Sequence, residues 1–208
     1  MNPHNVVVKV GGSLFGQPEF VVRLQTLIES YSKQFAPAHI VLVTGGGPLV
    51  ESLRAMDRVN AISTNHAHWA AIQLMDVNAG LLQQWWPQLH AIDSVEKLRI
   101  RCNEVGVTLF RVEAFLRERE PRLAGTRLPT GWQVTSDSIA ARIAETLNAP
   151  QLILVKAASW NATDWQEAAE VGVVDLFFPR IAAKLRAVRI DTLPEHSVRC
   201  VSNDYQRT

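Results

Sequence analysis

The sequence predicts an α/β sandwich, with a mainly parallel sheet between layers of helices. Short apolar runs alternate along the chain with longer segments of helical period. These runs are continuous rather than alternating, which is typical of strands covered on both faces. The chain has 208 residues, enough to bury a sizeable core without disulfides or a structural metal.

Three apolar runs, at residues 6–10, 40–43 and 152–155, are predicted to be strands because they are rich in Val, Ile and Leu. Helices are predicted at residues 20–35, 67–86 and 138–147, where apolar side chains recur at i, i+3 and i+4. Strands that alternate with helices form βαβ units, whose crossovers are right-handed.

The helical and strand patterns stop at residues 118–130, where Pro, Gly and Arg replace periodic apolar residues. We therefore predict two lobes. The first covers residues 1–125, and the smaller second lobe covers residues 126–208.

Composition excludes several classes of protein. Lys and Arg number 21 against 20 Asp and Glu, and a net charge of +1 argues against a nucleic-acid partner. No apolar run is long enough for a membrane span, and the N-terminus does not resemble a secretion signal, so we expect a cytoplasmic protein. Cys102 and Cys200 have no CxxC partner and are interpreted as buried apolar residues.

Glycines follow two of the predicted strands. The first strand ends in Gly11, Gly12 and Ser13, and the second in the triple glycine 45–47. Consecutive glycines expose backbone N–H groups and let an anion approach the chain closely. Loops at the carboxyl ends of neighbouring parallel strands face one crevice, where α/β proteins bind ligands.

Lys9 interrupts the apolar run of the first strand. A buried ammonium needs an anionic partner, although a lysine on an edge strand could also extend to solvent. Next to Gly11 and Gly12, we interpret Lys9 as a phosphate ligand. The lysine precedes the glycines and the glycine spacing is irregular, which excludes a Walker loop and a dinucleotide fingerprint.

These motifs resemble the amino acid kinases, a family that includes acetylglutamate, aspartate and uridylate kinases. The resemblance rests on Lys-x-Gly-Gly-Ser at residues 9–13, the triple glycine at 45–47, and Asp137 within Thr-Ser-Asp-Ser at 135–138. It implies a three-layer sandwich with an open sheet and a reduced second lobe. The first lobe, residues 1–125, would bind the acceptor and the phosphoryl group, and the second, residues 126–208, would bind a nucleotide. It also implies a phosphotransferase that uses ATP and Mg²⁺, and a homo-oligomer.

Within the family, the sequence is most similar to the small kinases of methanofuran biosynthesis, which convert an aminomethylfuran-methyl phosphate to its diphosphate. The similarity rests on Arg54 and Asp57, on His68 with Met75 and Asp76, and on Trp132. It implies a small acceptor that bears a phosphate and an amine.

The resemblance also implies roles for individual residues. The predicted catalytic residues are Lys9, Asp137 and Lys184. The predicted nucleotide-binding residues are Gly11, Gly12, Ser13, Lys156 and Trp160. The predicted acceptor-binding residues are Gly45, Gly46, Gly47, Arg54, His68 and Asp76. No side-chain metal site is predicted, since Mg²⁺ would be bound mainly by phosphates.

The sequence leaves alternatives open. Asp137 could instead cap the helix that follows it. Either Lys156 or Lys184 could supply the second catalytic cation. Trp160 could stack on a base or only pack under a loop. The acidic nucleotide loop of the family is absent after Val155, so a ligand-binding member without catalysis is the alternative function.

Overall fold

The computed structural model describes residues 3–160 and 164–195, which form a six-stranded sheet covered by helices. The strands are β1 (His4–Val10), β2 (Ala38–Thr44), β3 (His90–Ile92), β4 (Gly106–Phe110), β5 (Gln151–Lys156) and β6 (Val188–Thr192). Their order is β3-β4-β2-β1-β5-β6, and every pairing is parallel. The predicted fold class is therefore confirmed, and the three predicted strands are β1, β2 and β5.

The helices are α1 (Phe20–Gln34), α2 (Gly47–Val59), α3 (Thr64–Trp85), α4 (Val95–Arg101), α5 (Ser136–Thr146), α6 (Trp165–Glu170) and α7 (Phe178–Ala182). A 3₁₀ turn, Gly12–Gly16, follows β1. A π-helical turn, Phe115–Arg119, and a 3₁₀ turn, Glu120–Arg122, precede the irregular segment before α5.

Two predicted helices begin earlier than their apolar pattern indicates. Helix α3 begins at Thr64 because the Ser63 side chain caps it by accepting a hydrogen bond from the His66 N–H. Helix α5 begins at Ser136, and its N-cap is Thr135. The alternative that Asp137 caps this helix is therefore wrong, since Asp137 lies inside the first turn.

The core lies on both faces of the sheet because successive strand side chains point to opposite sides. On one face Val7 packs in a cluster with Ile139 of α5, and on the other Val8 packs with Leu24 of α1. Lys9 is two residues beyond Val7, so its side chain points to the face that α5 covers.

The sheet continues across the predicted lobe boundary, because β1 pairs with β5 as well as with β2. The division at residues 125 and 126 stays a prediction. Within the described ranges, no helix is both long and apolar enough to cross a membrane. Cys102 is buried, which raises the pKa of its thiol to about 11, whereas Cys200 lies outside the described residues.

Candidate active site

The register of the sheet brings three chain segments to one edge. Val10 at the end of β1 pairs with Thr44 of β2 on one side and with Val155 of β5 on the other. Both glycine loops and Lys156 therefore meet beyond the carboxyl ends of these strands. A cavity of about 1010 Å³ opens there, and Lys9 contributes to its lining. This volume is sufficient for a nucleotide or a similar ligand.

The two glycine loops are in direct contact. A Cβ atom added to Gly12 would overlap the backbone of Gly47, and one added to Gly47 would overlap Gly12. Gly47 also has a φ of +51°, a conformation that side chains disfavour. A Cβ on Gly45 would lie 2.9 Å from the Gly12 nitrogen. Glycine is therefore required here for the loops to approach each other.

Helix α3 holds the triple-glycine loop through Asn78. Its buried amide nitrogen Nδ2 donates to the carbonyl of Gly45 at 2.7 Å and to that of Gly46 at 3.0 Å. Sequence reasoning missed this residue. A polar side chain between Met75 and Leu82, both buried on α3, was the signal that could have identified it.

The centre of the cavity contains a carboxylate shared by two lysines. Lys9 Nζ lies 2.9 Å from Asp137 Oδ1, and Lys156 Nζ lies 2.7 Å from Asp137 Oδ2. Lys9 and Asp137 are buried, with 6% and 4% of their surfaces exposed. Both ammonium groups lie at the wall of the cavity, where Asp175 is a second lining carboxylate.

The ionisation of this cluster follows from burial and charge. Burial alone would raise the pKa of Asp137, but the ammonium groups of Lys9 and Lys156 outweigh it and hold the pKa below its ordinary value. Burial and the nearby Lys9 lower the pKa of Lys156, although Asp137 opposes this shift. Asp137 is therefore a carboxylate at neutral pH, and Lys156 loses its proton more readily than an ordinary lysine.

Asp175, in the loop between α6 and α7, stabilises the start of α5. Its carboxylate accepts hydrogen bonds from the Thr135 N–H at 2.9 Å and from the Ser138 N–H at 3.0 Å. Burial raises the pKa of Asp175, and the charge of Asp137 adds to the shift. Because Asp175 satisfies these amide groups, Asp137 is available to the lysines. No motif or periodicity in the sequence marks Asp175.

Another side of the cavity is formed by α2, α3 and the segment before α5. The Arg54 guanidinium lies 4.9 Å from the centre of the Trp132 ring and pairs with Glu51 at 2.8 Å. Trp132 Nε1 donates to Asp57 at 2.8 Å, which fixes the ring against α2.

His68 of α3 also lines this cavity. The Gly131 N–H donates to its Nδ1 at 3.2 Å, so the proton of the neutral ring is on Nε2. Burial lowers the pKa of His68, which favours this neutral form.

The structure brings most of the predicted site residues together. Those that line the cavity are Lys9, Gly11, Gly12, Ser13, Gly46, Gly47, Arg54, His68, Asp137, Lys156 and Trp160. Gly45 lies directly behind the lining, where its carbonyl accepts from Asn78.

Asp76 and Lys184 are not brought to this cavity. Asp76 accepts a hydrogen bond from the Val112 N–H at 2.9 Å and lies 3.7 Å from Arg111, so its carboxylate is used within the fold. Lys184 lies beyond the end of α7, donates to Thr126 Oγ1 at 2.8 Å and lines a different cavity. The predicted placement of both residues is therefore corrected. Lys156, and not Lys184, lies beside Asp137.

Comparisons with known proteins show which sequences and folds this chain resembles. The sequence model of the amino acid kinase family matches residues 5–159. A curated relative, the (5-(aminomethyl)furan-3-yl)methyl phosphate kinase of Methanocaldococcus jannaschii, is 24% identical over 148 residues. The match covers 71% of this chain and 63% of the length of that relative.

Solved structures share the fold at lower identity. The uridylate kinase of Archaeoglobus fulgidus superposes with a TM-score of 0.63 at 20% identity, covering 92% of this chain and 91% of the other. The UMP kinase of Ureaplasma parvum superposes with a TM-score of 0.64 at 14% identity, covering 94% and 92%.

Proposed function

The chain belongs to the amino acid kinase family, and on this basis we propose that it is an ATP-dependent kinase whose acceptor is a small molecule already carrying a phosphate. The observation that supports this most strongly is the buried carboxylate of Asp137 between Lys9 and Lys156, where the two glycine loops meet. Phosphoryl transfer requires charge neutralisation and in-line positioning, with little covalent work by the protein. The two ammonium groups at the wall of the cavity meet the first requirement.

In this proposal Asp137 is a positioning residue, and the two lysines are the catalytic residues that stabilise the negative charge of the phosphoryl group. The backbone N–H of Gly11 is not available for this task, because it donates to the Val155 carbonyl at 2.8 Å. Gly12 and Gly46 also line the cavity, and their N–H groups are candidates for this task.

The nucleotide would lie toward the segment that follows β5. Trp160, Val173 and Leu176 give this end of the cavity apolar surface suited to a base. The Nε1 of Trp160 is buried and has no hydrogen-bond partner within the described residues, so it could donate to a ring nitrogen or carbonyl. Residues 161–163 lie outside the described part of the chain.

Magnesium fits the site through the nucleotide rather than through protein side chains. Across residues 3–160 and 164–195, no three His, Cys, Asp or Glu side chains are grouped so that they could hold a metal ion. Mg²⁺ commonly binds through substrate phosphates and water, and when bound it neutralises phosphate charge.

The acceptor would lie between α2 and Trp132. Arg54 could bind its phosphate through two parallel hydrogen bonds, and the Trp132 ring could pack on a flat organic body. Asp76 lies outside the cavity, and Asp137 and Asp175 are buried and bonded within the fold, whereas Glu51 is exposed and pairs with the neighbouring Arg54. Glu51 is therefore the lining carboxylate that could also meet an amine. A phosphate, a ring and an amine are the features of an aminomethylfuran-methyl phosphate.

Product analysis by ³¹P NMR tests this function. The protein is incubated with ATP, Mg²⁺ and one of three acceptors: (5-(aminomethyl)furan-3-yl)methyl phosphate, the same compound without its amine, or UMP. We expect ADP and an organic diphosphate from the first acceptor, slower turnover of the second and none of UMP. If ADP formed with UMP but with neither furan compound, the proposed acceptor would be rejected. If the protein neither bound nor turned over ATP with any compound, the proposed kinase activity would be rejected.

Glu51→Gln tests the amine contact separately. The Glu51 side chain is 61% exposed, so solvent screens the ion pair and the expected effect is small. We expect KM to rise about twofold to fivefold for the amine-bearing acceptor and to stay unchanged for the amine-free compound. Glu29→Gln, an exposed substitution on α1, is the matched control. Equal effects on both acceptors would reject the contact.

A further inference from the structure

A second cavity, of about 560 Å³, lies behind one wall of the first. His68, Val134 and Ile139 line both cavities. Val134 and Ile139 are buried, with 6% and 2% of their surfaces exposed, so apolar side chains separate the two spaces. A ligand in the second cavity would therefore not reach the lysines around Asp137.

The second cavity is lined by more positive than negative charge. Arg127, Arg180 and Lys184 contribute cations, and none of the three forms an ion pair with another described residue. Its lining carboxylate, Glu120, is buried and accepts a hydrogen bond from the Leu128 N–H at 3.1 Å. Glu120 also pairs with the buried Arg142. The three cations are therefore available to an anion.

Buried polar groups fix Lys184 and the loop beside it. The hydroxyl of Thr126 accepts a hydrogen bond from Lys184 Nζ at 2.8 Å and donates to Glu145 at 2.9 Å. Glu145 is held by Arg142 at 2.7 Å, and Arg142 Nη2 donates to the Ala124 carbonyl at 3.0 Å. Burial of such charges is costly, and here the network fixes Lys184 and the backbone next to Arg127 before any ligand arrives, whereas the three cations themselves are exposed.

The apolar part of the lining indicates what kind of anion would fit. Trp69, Leu128 and Phe177 line the cavity beside the cations. A space of this size with apolar walls and a few polar groups is typical of sites for small organic ligands. Inorganic phosphate alone would leave these apolar surfaces without contact.

We propose that the second cavity binds a small organic phosphate through Arg127, Arg180 and Lys184, at a site separate from the phosphoryl-transfer centre. The shared wall links this site to the acceptor end, because His68 accepts the Gly131 N–H and its ring lies 5.2 Å from that of Trp69. A ligand that moves Trp69 or His68 changes acceptor affinity, and the acceptor changes the affinity of that ligand by the same factor.

Calorimetric titration with phenyl phosphate, which carries both an apolar ring and a phosphate, at physiological salt tests the site. We expect two binding events for the unmodified protein. In Arg180→Gln/Lys184→Gln, the Kd of one of these events should weaken at least tenfold. Lys9→Met should remove the other event. Arg186→Gln is the matched control, because it removes an exposed positive charge that does not line the cavity.

Two results would overturn the proposed second site. Binding that Lys9→Met abolishes and Arg180→Gln/Lys184→Gln leaves unchanged would overturn the proposal, and so would a complete absence of binding. If the double variant does not fold, as judged by circular dichroism, Arg127→Gln replaces it, because it changes a single exposed side chain. Failure of the kinase assay does not affect this test, since it measures binding without turnover.

Discussion

Asp137→Asn is the substitution whose consequences the structure defines most closely. It keeps the shape of the side chain and removes the negative charge that lies 2.9 Å from Lys9 Nζ and 2.7 Å from Lys156 Nζ. Removing one partner of a buried ion pair costs about 3–5 kcal/mol, because the remaining charge is left without compensation. We expect a loss of that order in the free energy of unfolding at pH 7.

The stability that Asp137→Asn loses should become smaller as the pH rises. Burial and Lys9 already lower the pKa of Lys156, and without the carboxylate its pKa falls further. The folded variant then binds fewer protons than its unfolded chain, so its stability rises with pH. The free energy of unfolding of Asp137→Asn should therefore come closer to that of the unmodified protein between pH 7 and pH 10, as Lys156 becomes neutral.

Urea denaturation at pH 7 and pH 10, followed by circular dichroism, measures this difference. Lys9→Met/Asp137→Asn should be more stable than Asp137→Asn at pH 7, because it leaves one fewer ammonium without a partner. Asp93→Asn, an exposed substitution, should change stability by less than about 0.5 kcal/mol. If Asp137→Asn were as stable as the unmodified protein, or equally destabilised at both pH values, the assigned ion-pair cluster would be refuted.

Four further predictions concern the site and the helix α3 that holds its triple-glycine loop. Gly12→Ala should lower the free energy of unfolding by about 1–3 kcal/mol and abolish ATP binding in calorimetry, because the methyl group would overlap Gly47. Gly80→Ala, in the interior of α3 with open space around it, should instead stabilise the fold by about 0.5–1 kcal/mol. Asn78→Ala leaves two carbonyls of the triple glycine without their donor, so denaturation should show a loss of about 1–3 kcal/mol; an unchanged midpoint would contradict this role. The pH profile of kcat/KM should fall on the alkaline side with an apparent pKa below 10.5, because the charged form of Lys156 is lost as pH rises; Lys156→Arg should remove this limb, and a limb that persists would exclude Lys156 as its origin.

The central strands of the fold can be predicted from the sequence, because a parallel strand buried on both faces needs an unbroken apolar run. Strands β1, β2 and β5 meet this condition and were predicted. Strand β3 has only three residues, and all five residues of β6 are partly exposed or exposed, so these edge strands carry no such run. Their positions depend on the pairing of the whole sheet.

Site residues can be predicted where the signal lies within a short stretch of the sequence. Lys9 and the glycine loops could be identified because a lysine in a valine run and consecutive glycines are unusual in themselves. Asp175 could not, since its role depends on a loop that meets the start of α5 from 37 residues away along the chain. The choice between Lys156 and Lys184 was likewise open until the fold placed one beside Asp137 and the other beside Thr126.

The most direct test of the account is the rate of ADP formation at saturating ATP by the unmodified protein, Lys9→Met and Lys156→Met, with the (5-(aminomethyl)furan-3-yl)methyl phosphate acceptor. If the two ammonium groups beside Asp137 stabilise the transferred phosphoryl group, each variant should fold and lose about 100-fold to 1000-fold in kcat. A folded variant of either kind that keeps kcat within about threefold of the unmodified protein would contradict that role.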